Sequence, residues 1–349
     1  MSERKLASIQ KILNVKPIKD ADRIELVSVL GWQCIAKKNE FKAGDLVVYF
    51  EIDSFLPVID KYEFLRERCY RKSDYMGEGF KLKTVRLKGE YSQGLCLPVS
   101  YFDELKDIDI KEGLDVTDIL NVRKWEEPED NARGNHAGKR PDFIPKTEET
   151  RIQSCPDLLN EFKDLEYYIT TKLDGQSHSI AVKDGELTYT SHNMLLKDDG
   201  KCSFINYVKE QGITDKLLSL AKEQNLFSVV IQGEWCGEGI QKNPLKLLKH
   251  KWFAFTVIIN DRRVSLSDMQ KVCADIGADI VPVEETGENL LDKYPDVNAL
   301  LERASNSKGY NNTMAEGIII RPVKPVYCSK IGTSLSMKVI NNKYLLKNA

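Results

Sequence analysis

The chain has no Cys-x-x-Cys pair and only 4 histidines in 349 residues. Its cysteines, Cys34, Cys69, Cys96, Cys155, Cys202, Cys236, Cys273 and Cys328, are scattered along the whole length. That usage argues against a structural zinc site or a disulfide framework and for a reducing compartment. No apolar run approaches the roughly 20 residues a membrane helix needs. The N-terminal Met-Ser-Glu-Arg-Lys leads into no apolar signal core, so an intracellular, cytoplasmic protein is expected. A net charge of −2 argues against binding nucleic acid through global charge, and leaves only local basic patches for that purpose. The length predicts about two domains.

The first ~120 residues read as short strands separated by tight turns. Ile24 to Val29, Cys34 to Lys37, Leu46 to Ile52, Leu82 to Leu87 and Leu95 to Pro98 are strand candidates, punctuated by Gly31, Gly44, Gly89 and Gly94. With one helical segment around Tyr62 to Arg68, they suit a small barrel, most simply an OB-fold. Arg123 to Lys146 is polar and carries Pro128, Gly134, Gly138, Pro141 and Pro145, a linker composition with Trp125, Phe143 and Ile144 as anchors at its ends. The expected organisation is residues 1–122 as OB domain, 123–146 as linker and 147–349 as a second domain.

In that second part longer strands mix with helices. Asp184-Gly185 between two apolar runs predicts a hairpin. Thr214 to Gln224 is an amphipathic helix, and Phe227 to Ile231 and Trp252 to Ile259 are buried-type strands. Ser267 with Gln270 forms a capping box for a helix ending at Gly277. Pro295 interrupts a helical stretch from Asn289 to Ala304. Gly317 to Arg321 and Leu335 to Ile340 are strands.

The most informative motif is Lys172-Leu173-Asp174-Gly175, at the end of the run Tyr167 to Thr171. A lysine on a strand end can attack a phosphate covalently, a carboxylate two residues on can organise a metal, and glycine permits a tight backbone turn beside a ligand. Further along come Ser191-His192-Asn193, then Gln232-Gly233-Glu234. They are followed by Phe253 and Phe255 on one strand face, Glu316-Gly317 before an isoleucine run, and Lys338 within Ser336 to Val339. Each motif alone also suits an ordinary turn, a solvated strand end or a core position.

Their order resembles the motif series of the covalent nucleotidyltransferases, the ligases and capping enzymes, over Glu149 to Leu346. Only 11 residues follow Lys338, leaving no room for an OB domain after that motif. The segments Ala21 to Glu25, Gly31-Trp32, Gly44 to Tyr49 and Ser92 to Leu95, with Thr147 to Gln153, are similar to RNA ligases of the Deinococcus and Naegleria type. In those enzymes an OB domain comes first. The resemblance implies an α+β protein: an N-terminal OB-fold β-barrel followed by a nucleotidyltransferase (ATP-grasp-like ligase) domain of antiparallel sheets with flanking helices.

The resemblance also implies a reaction and a site. Lys172 would attack the α-phosphate of ATP, pass AMP to an RNA 5′-phosphate and allow a 3′-OH to seal the strand. Lys172 and Lys338 would be the catalytic cations. ATP and AMP would contact Arg151, Thr171, Asp174, Gly175, Asn193, Glu234, Glu316 and Lys338, with adenine on Phe253 or Phe255. Asp174, Glu234 and Glu316 would hold Mg2+ or Mn2+, partly through its waters. A free lysine is mostly protonated at neutral pH, so Lys172 needs nearby positive charge before it can attack. The partner implied is RNA with 5′-phosphate and 3′-OH ends, including a nicked duplex, acted on by a monomer in RNA repair. Two positions depart from the family pattern: His192 replaces an arginine, and Ile340 stands where related ligases often carry a second lysine. A DNA-joining or other covalent nucleotidyltransferase is the enzyme alternative. A catalytically degenerate nucleic-acid-binding protein is the other. Lys61 to Tyr91 hold nine Lys/Arg against five Asp/Glu, interleaved with Tyr62, Tyr70, Tyr75 and Phe80. This stretch suits either a phosphate-tracking surface or a solvated loop face. Lys242, Lys246, Lys249 and Lys251 offer a second basic candidate.

Overall fold

The computed structural model describes residues 4–126 and 135–347. They pack as two units, one of residues 4–126, 153–156 and 345–347, the other of 135–152 and 157–344. Among the described residues no helix is long and apolar enough to cross a membrane. The cysteines are free thiols, and all but Cys155 are buried.

The first unit is built on a five-stranded antiparallel sheet in the order Leu95–Pro98, Leu46–Phe50, Ala7–Pro17, Ile24–Val29, Trp32–Lys37. Its central strand, Ala7–Pro17, has no counterpart in the sequence reading. The strand pairs with Leu46–Phe50 through Ala7 to Lys11 and with Ile24–Val29 from Ile12 onward. A bulge between Ile12 and Asn14 marks the change of partner. An extra residue at a bulge bends a strand and shifts its side-chain alternation, and here Leu13 and Asn14 are exposed in succession. One face of the curled sheet buries Trp32, Cys34 and Tyr49. The other packs Phe50 against Tyr62, Phe80 and Phe102. The segment expected to be helical forms a 3-10 turn, Asp60–Leu65, running into Arg66–Cys69. A separate four-stranded sheet has the order Arg123–Lys124, Ser54–Leu56, Gly77–Lys81, Tyr70–Ser73.

The stretch read as a linker carries ladder strands toward both ends. Arg123–Lys124 pairs with Ser54 and Phe55, and His136–Lys139 pairs with Met194–Leu196. Pro128 and Gly134 lie outside the described residues. The anchors are packed as expected: Trp125 lies against Phe55, and Ile144 is buried with Ala181, Val230 and Ile258.

The second unit holds two sheets. The larger, eight-stranded, runs His136–Lys139, Met194–Leu196, Glu186–Thr190, Gln176–Lys183, Ser228–Cys236, Lys251–Ile259, Arg262–Arg263, with Asp279–Ile280 also paired to Lys251–Ile259. The smaller, five-stranded, runs Thr150–Arg151, Met337–Ile340, Gly317–Pro322, Tyr167–Lys172, Val283–Gly287. Asp184 and Gly185 both have positive φ, the backbone a two-residue hairpin with matching strand twist demands. Helices Ser203–Glu210, Ile213–Glu223 and Leu266–Ile276 bury apolar faces against the larger sheet. The last begins two residues earlier than the sequence suggests: Ser265, not Ser267, is its N-cap and accepts from the Asp268 amide, while Gly277 closes it at φ 76°. Around Pro295 the helical stretch splits into Leu290–Lys293 and Val297–Asn306, capped by Asn289 and Asp296.

The chain passes from one sheet to the other at the key motif. Lys172 ends a strand of the smaller sheet, Gln176 begins a strand of the larger, and Leu173-Asp174-Gly175 is the whole connection. In the larger sheet Gly233 sits at a bulge opposite the Trp252 strand. A Cβ there would lie 2.6 Å from the buried Trp252 ring. Gly233→Ala is expected to cost about 1–3 kcal/mol by overpacking. Leu248→Ala, at a side chain 99% exposed, should stay within about 0.5 kcal/mol of the parent. Denaturant unfolding of the two variants tests the difference.

Candidate active site

Between the two sheets of the second unit lies a cavity of about 220 Å³. Thr170, Thr171, Lys172 and Leu173 line it from the smaller sheet and the connection, with Ile319, Arg321 and Lys338. Ser177, His192, Glu234 and Phe255 line it from the larger sheet, and Thr147, Glu148 and Glu149 from the approach segment. Segments far apart in sequence therefore converge because the two sheets face each other across the Leu173-Asp174-Gly175 connection.

Lys172 is the centre of the charge arrangement. Its Nζ donates to Glu316 Oε2 at 2.5 Å. The pairing follows from register, since Lys172 lies opposite Gly317 on the neighbouring strand and Glu316 immediately precedes that glycine. Burial works against the ammonium, but Glu316, Glu234 and Asp174 together hold its pKa above the ordinary lysine value. Nearby cations were expected to lower it; with the site's own side chains alone, the carboxylates win.

Those carboxylates respond in turn. Burial pushes Glu234 up to about 8, Lys172 pulls it down, and repulsion from Glu316 and Asp174 adds to the rise. Asp174 is also raised, first by burial and then by Glu316. Opposing that rise is a hydrogen bond from Tyr344, on the C-terminal helix Asn342–Lys347. Sequence reasoning missed Tyr344, and a lone tyrosine after the last strand offers no motif by which to find it.

Gly175 serves a different purpose from the one expected. Its φ is not positive, so no left-handed turn requires glycine. The constraint is close approach: a Cβ would lie 2.5 Å from the Trp235 carbonyl and 2.7 Å from Cys236 Sγ. That proximity lets the Gly175 amide donate to Glu234 Oε1 at 3.0 Å, which ties the motif to the larger sheet.

The two phenylalanines separate. Phe255 lines the cavity. Phe253 is buried with Leu173, Cys236 and Leu245, its ring 5.2 Å from Tyr310. Arg321 sits beneath Phe255, its guanidinium 5.9 Å from the ring centre. It donates to the Phe255 carbonyl and to Glu149. Burial opposes the Glu149 charge, but Arg321 and Arg263 hold its carboxyl below the usual range. Arg321 closes the isoleucine strand and could have been noticed as a charge at the end of a buried run.

His192 makes a polar corner of the cavity. Its Nδ1 is 3.2 Å from Thr147 Oγ1, which is also 2.8 Å from Ser177 Oγ. Glu148 lies 3.8 Å from Nε2. Neighbouring Asn193 is exposed, its carbonyl accepting from the Arg140 amide, and it does not line the cavity. Arg151 stands beside Lys338 in a parallel register but is likewise outside the lining.

No group of three or more His, Cys, Asp or Glu side chains is arranged as a metal cage among the described residues. Asp174, Glu234 and Glu316 nonetheless couple electrostatically to one another and to Lys172. That donor set fits a hard cation held through few carboxylates and several waters, as magnesium prefers.

Comparisons with known proteins fit this geometry. A family model described as an OB-fold domain matches residues 6–99. One described as RNA ligase matches residues 165–340. The structure is similar to a Naegleria gruberi RNA ligase solved with PPi, at TM-score 0.86 and 31% identity over 99% of this chain and 98% of that one. A mutant of that ligase with AMP and Mn matches at TM-score 0.87 and 30% identity, covering 99% of each chain. Another mutant, with ATP and Mn, matches at 0.86 and 30%, again over 99% of each. No curated protein sequence matches. The chain belongs to the RNA ligase family. Its first unit is the OB-fold domain, with the curled antiparallel sheet of that fold, and its second is the sheet-rich ligase domain.

The ligase should show the Glu234 shift in its pH-dependent stability. Folded, Glu234 keeps its proton up to about pH 8; unfolded, only through the ordinary range near ~4.3. The folded state therefore binds the extra proton between those values, and stability falls as pH rises through that window. In chelator-treated protein, Glu234→Gln is expected to remove that part of the decline and to raise the melting temperature relative to the parent above pH ~8. Calorimetry across the pH range at constant ionic strength measures it; parallel curves for the two proteins would refute the shift.

Proposed function

We propose that this protein is an ATP-dependent ligase that joins RNA 3′-OH and 5′-phosphate ends through lysyl-AMP and RNA-adenylate intermediates. The observation that carries the reading is Lys172 Nζ, bonded to Glu316 at the cavity edge, with Glu234, Lys338 and Phe255 lining the same cavity. The solved relatives with ATP, AMP, PPi and Mn support it.

In the first step the Lys172 amine bonds to the α-phosphorus of ATP, the bond to the bridging oxygen breaks, and pyrophosphate leaves with that electron pair. Phe255, with Ile319 and Val281 beside it, offers an apolar wall for adenine. Of the two aromatic candidates it is the one we assign to the base. Lys338 faces the cavity from the adjacent strand and would stabilise charge growing on the α-phosphate. Glu316 holds Lys172 at the strand end and can take up its proton as the nitrogen bonds phosphorus. Asp174 is oriented by Tyr344, and Glu234 by the Gly175 amide. A bound divalent cation would offset the carboxylate charge that keeps Lys172 protonated and would add to the stabilisation of the phosphate. In the second step an RNA 5′-phosphate oxygen takes the adenylyl group and returns the Lys172 amine. In the third a 3′-OH oxygen attacks that 5′-phosphorus, closing the phosphodiester and releasing AMP. Arg151 and Asn193 remain our candidates for contacts to the outer phosphates and the sugar.

Incubation with ATP labelled at the α-phosphate and a divalent metal should yield a covalent protein adduct. Lys172→Ala should abolish it, and Lys338→Ala should slow it by roughly 10²–10³-fold. An unlabelled parent protein would instead favour the degenerate nucleic-acid-binding reading. Joining assays on matched RNA and DNA termini separate an RNA ligase from one acting on DNA.

A further inference from the structure

The four-stranded sheet of the OB unit carries a second built surface that shares no residue with the cavity. Arg123 lies opposite Phe55, and Phe55 opposite Lys81. Alternation therefore puts all three on one face of the sheet. Two residues before Lys81, Gly79 pairs with Arg71 on the same parity. A Cβ on Gly79 would lie 2.6 Å from the Phe55 ring, so the glycine is the floor on which that ring rests.

Above this floor a run of tilted aromatic contacts leads outward. The Phe55 and Trp125 ring centres are 5.1 Å apart, and those of Trp125 and Tyr75 are 5.8 Å apart. Lys81 Nζ stands 5.0 Å from the Trp125 ring centre, and the Arg123 guanidinium 5.2 Å from that of Phe55. Phe55 is buried, whereas Tyr75 at the outer end is 45% exposed.

Both faces carry cations, Lys72 and Lys124 having the parity opposite to the aromatic face. Arg71, Lys81 and Arg123 share the aromatic face. Glu78 pairs with Lys72 on the opposite parity and accepts from Tyr70. Glu126 is engaged by Lys124 at 2.7 Å. Arg71 and Arg123 donate to the backbone carbonyls of Tyr70 and Met76, which orients them without neutralising them. Asp74, in the same turn as Tyr75, is the neighbouring carboxylate in sequence.

We propose that this face docks single-stranded RNA, one unpaired base stacking on Tyr75 and Trp125 while Arg71, Lys81 and Arg123 take the flanking phosphates. An exposed ring face accepts an unpaired base, which a duplex keeps stacked inside. Cations interleaved with aromatics are the chemistry that holds single strands without reading their sequence. The choice of RNA as the single strand rests on the ligase reading.

The test measures full-length protein binding a fluorescein-labelled, mixed-sequence single-stranded RNA by anisotropy, beside self-adenylylation of the same samples. Tyr75→Ala should weaken RNA binding roughly 5- to 100-fold, the range for losing one stacked base. Tyr75→Phe should bind within about twofold of the parent. Arg71→Ala and Lys81→Ala should each flatten the salt dependence by ~0.7 in log–log slope. Adenylylation should be unchanged in all of them. RNA affinity within about twofold of the parent in Tyr75→Ala overturns the proposal, as does displacement of the RNA by polyglutamate as effectively as by unlabelled RNA. Should Tyr75→Ala lose adenylylation as well, Arg71→Ala and Lys81→Ala decide: unchanged salt slopes refute the platform. A parent that binds RNA through Tyr75 but forms no adduct would sink the ligase reading and leave the platform standing.

Discussion

The site depends on a lysine ammonium held among more negative charge than it can balance. Glu316 meets Lys172 directly, and Glu234 and Asp174 add their fields. An ion pair set partly out of water is weak evidence for stability, because desolvation of each group offsets most of the attraction. A hydrophobic replacement of similar size would serve the fold at least as well. Under the proposed function the cluster is a cost carried for chemistry: it localises the Lys172 nitrogen and surrounds it with groups that can receive a proton or approach a cation. The upward pKa shifts of Glu234 and Asp174, which weaken both as acids, are the visible sign of that cost.

Around this cluster the fold supplies rigidity where the charges alone would drift apart. The connection between the two sheets is only Leu173-Asp174-Gly175, and close approach of Gly175 to the Trp235 and Cys236 strand leaves it little room to move. On the far side the Arg321–Glu149 pair is buried and shared with Ser336, Thr256 and the Phe255 carbonyl. A guanidinium with that many fixed partners meets the condition under which a buried charge is tolerated. It also fixes the backbone that presents Phe255. The two departures from the family pattern fit into this frame. Ile340 is buried and pairs with Gly317, beside the backbone approach that leaves no space for a Cβ on that glycine. A lysine there would have to leave the core, and Lys338 is the cation that its strand brings to the cavity lining. His192 is held by Thr147 in a corner that already contains Ser177 and Glu148. An imidazole fits there as a hydrogen-bonding group, with neither the reach nor the permanent charge of arginine.

How much of this was legible in the sequence depended on whether a signal is local. The hairpin at Asp184-Gly185 needs positive φ at two adjacent residues, and the residues that tolerate it are written there. Lys172, Asp174, Glu234 and Glu316 were readable as motifs in order, and the structure brings the four side chains together. Phe253 and Phe255 were not separable, because alternation assigns both to one face. Only the position of Leu173, Leu245 and Tyr310 along the strand decides which is covered. The central strand Ala7–Pro17 was lost for a related reason: its bulge resets the alternation that identifies a strand.

Contacts made by distant segments left no trace of this kind. Tyr344 reaches Asp174 across 170 residues of sequence, and Arg321 reaches Glu149 across 172. Tyr344 has no neighbour in sequence that announces its role, and the isoleucine run before Arg321 marks a buried charge without naming its partner. The aromatic face of the OB unit is the sharpest instance. The basic stretch from Lys61 to Tyr91 was visible as composition, yet composition could not distinguish a phosphate-tracking surface from a solvated loop. Strand pairing adds what composition lacks, the face each side chain takes. It places Glu78 on one face and Arg71 and Lys81 on the other, and it brings Phe55 from upstream and Trp125 from downstream into one run of ring contacts with Tyr75. Alternate faces of a sheet thus separate side chains that composition counts together.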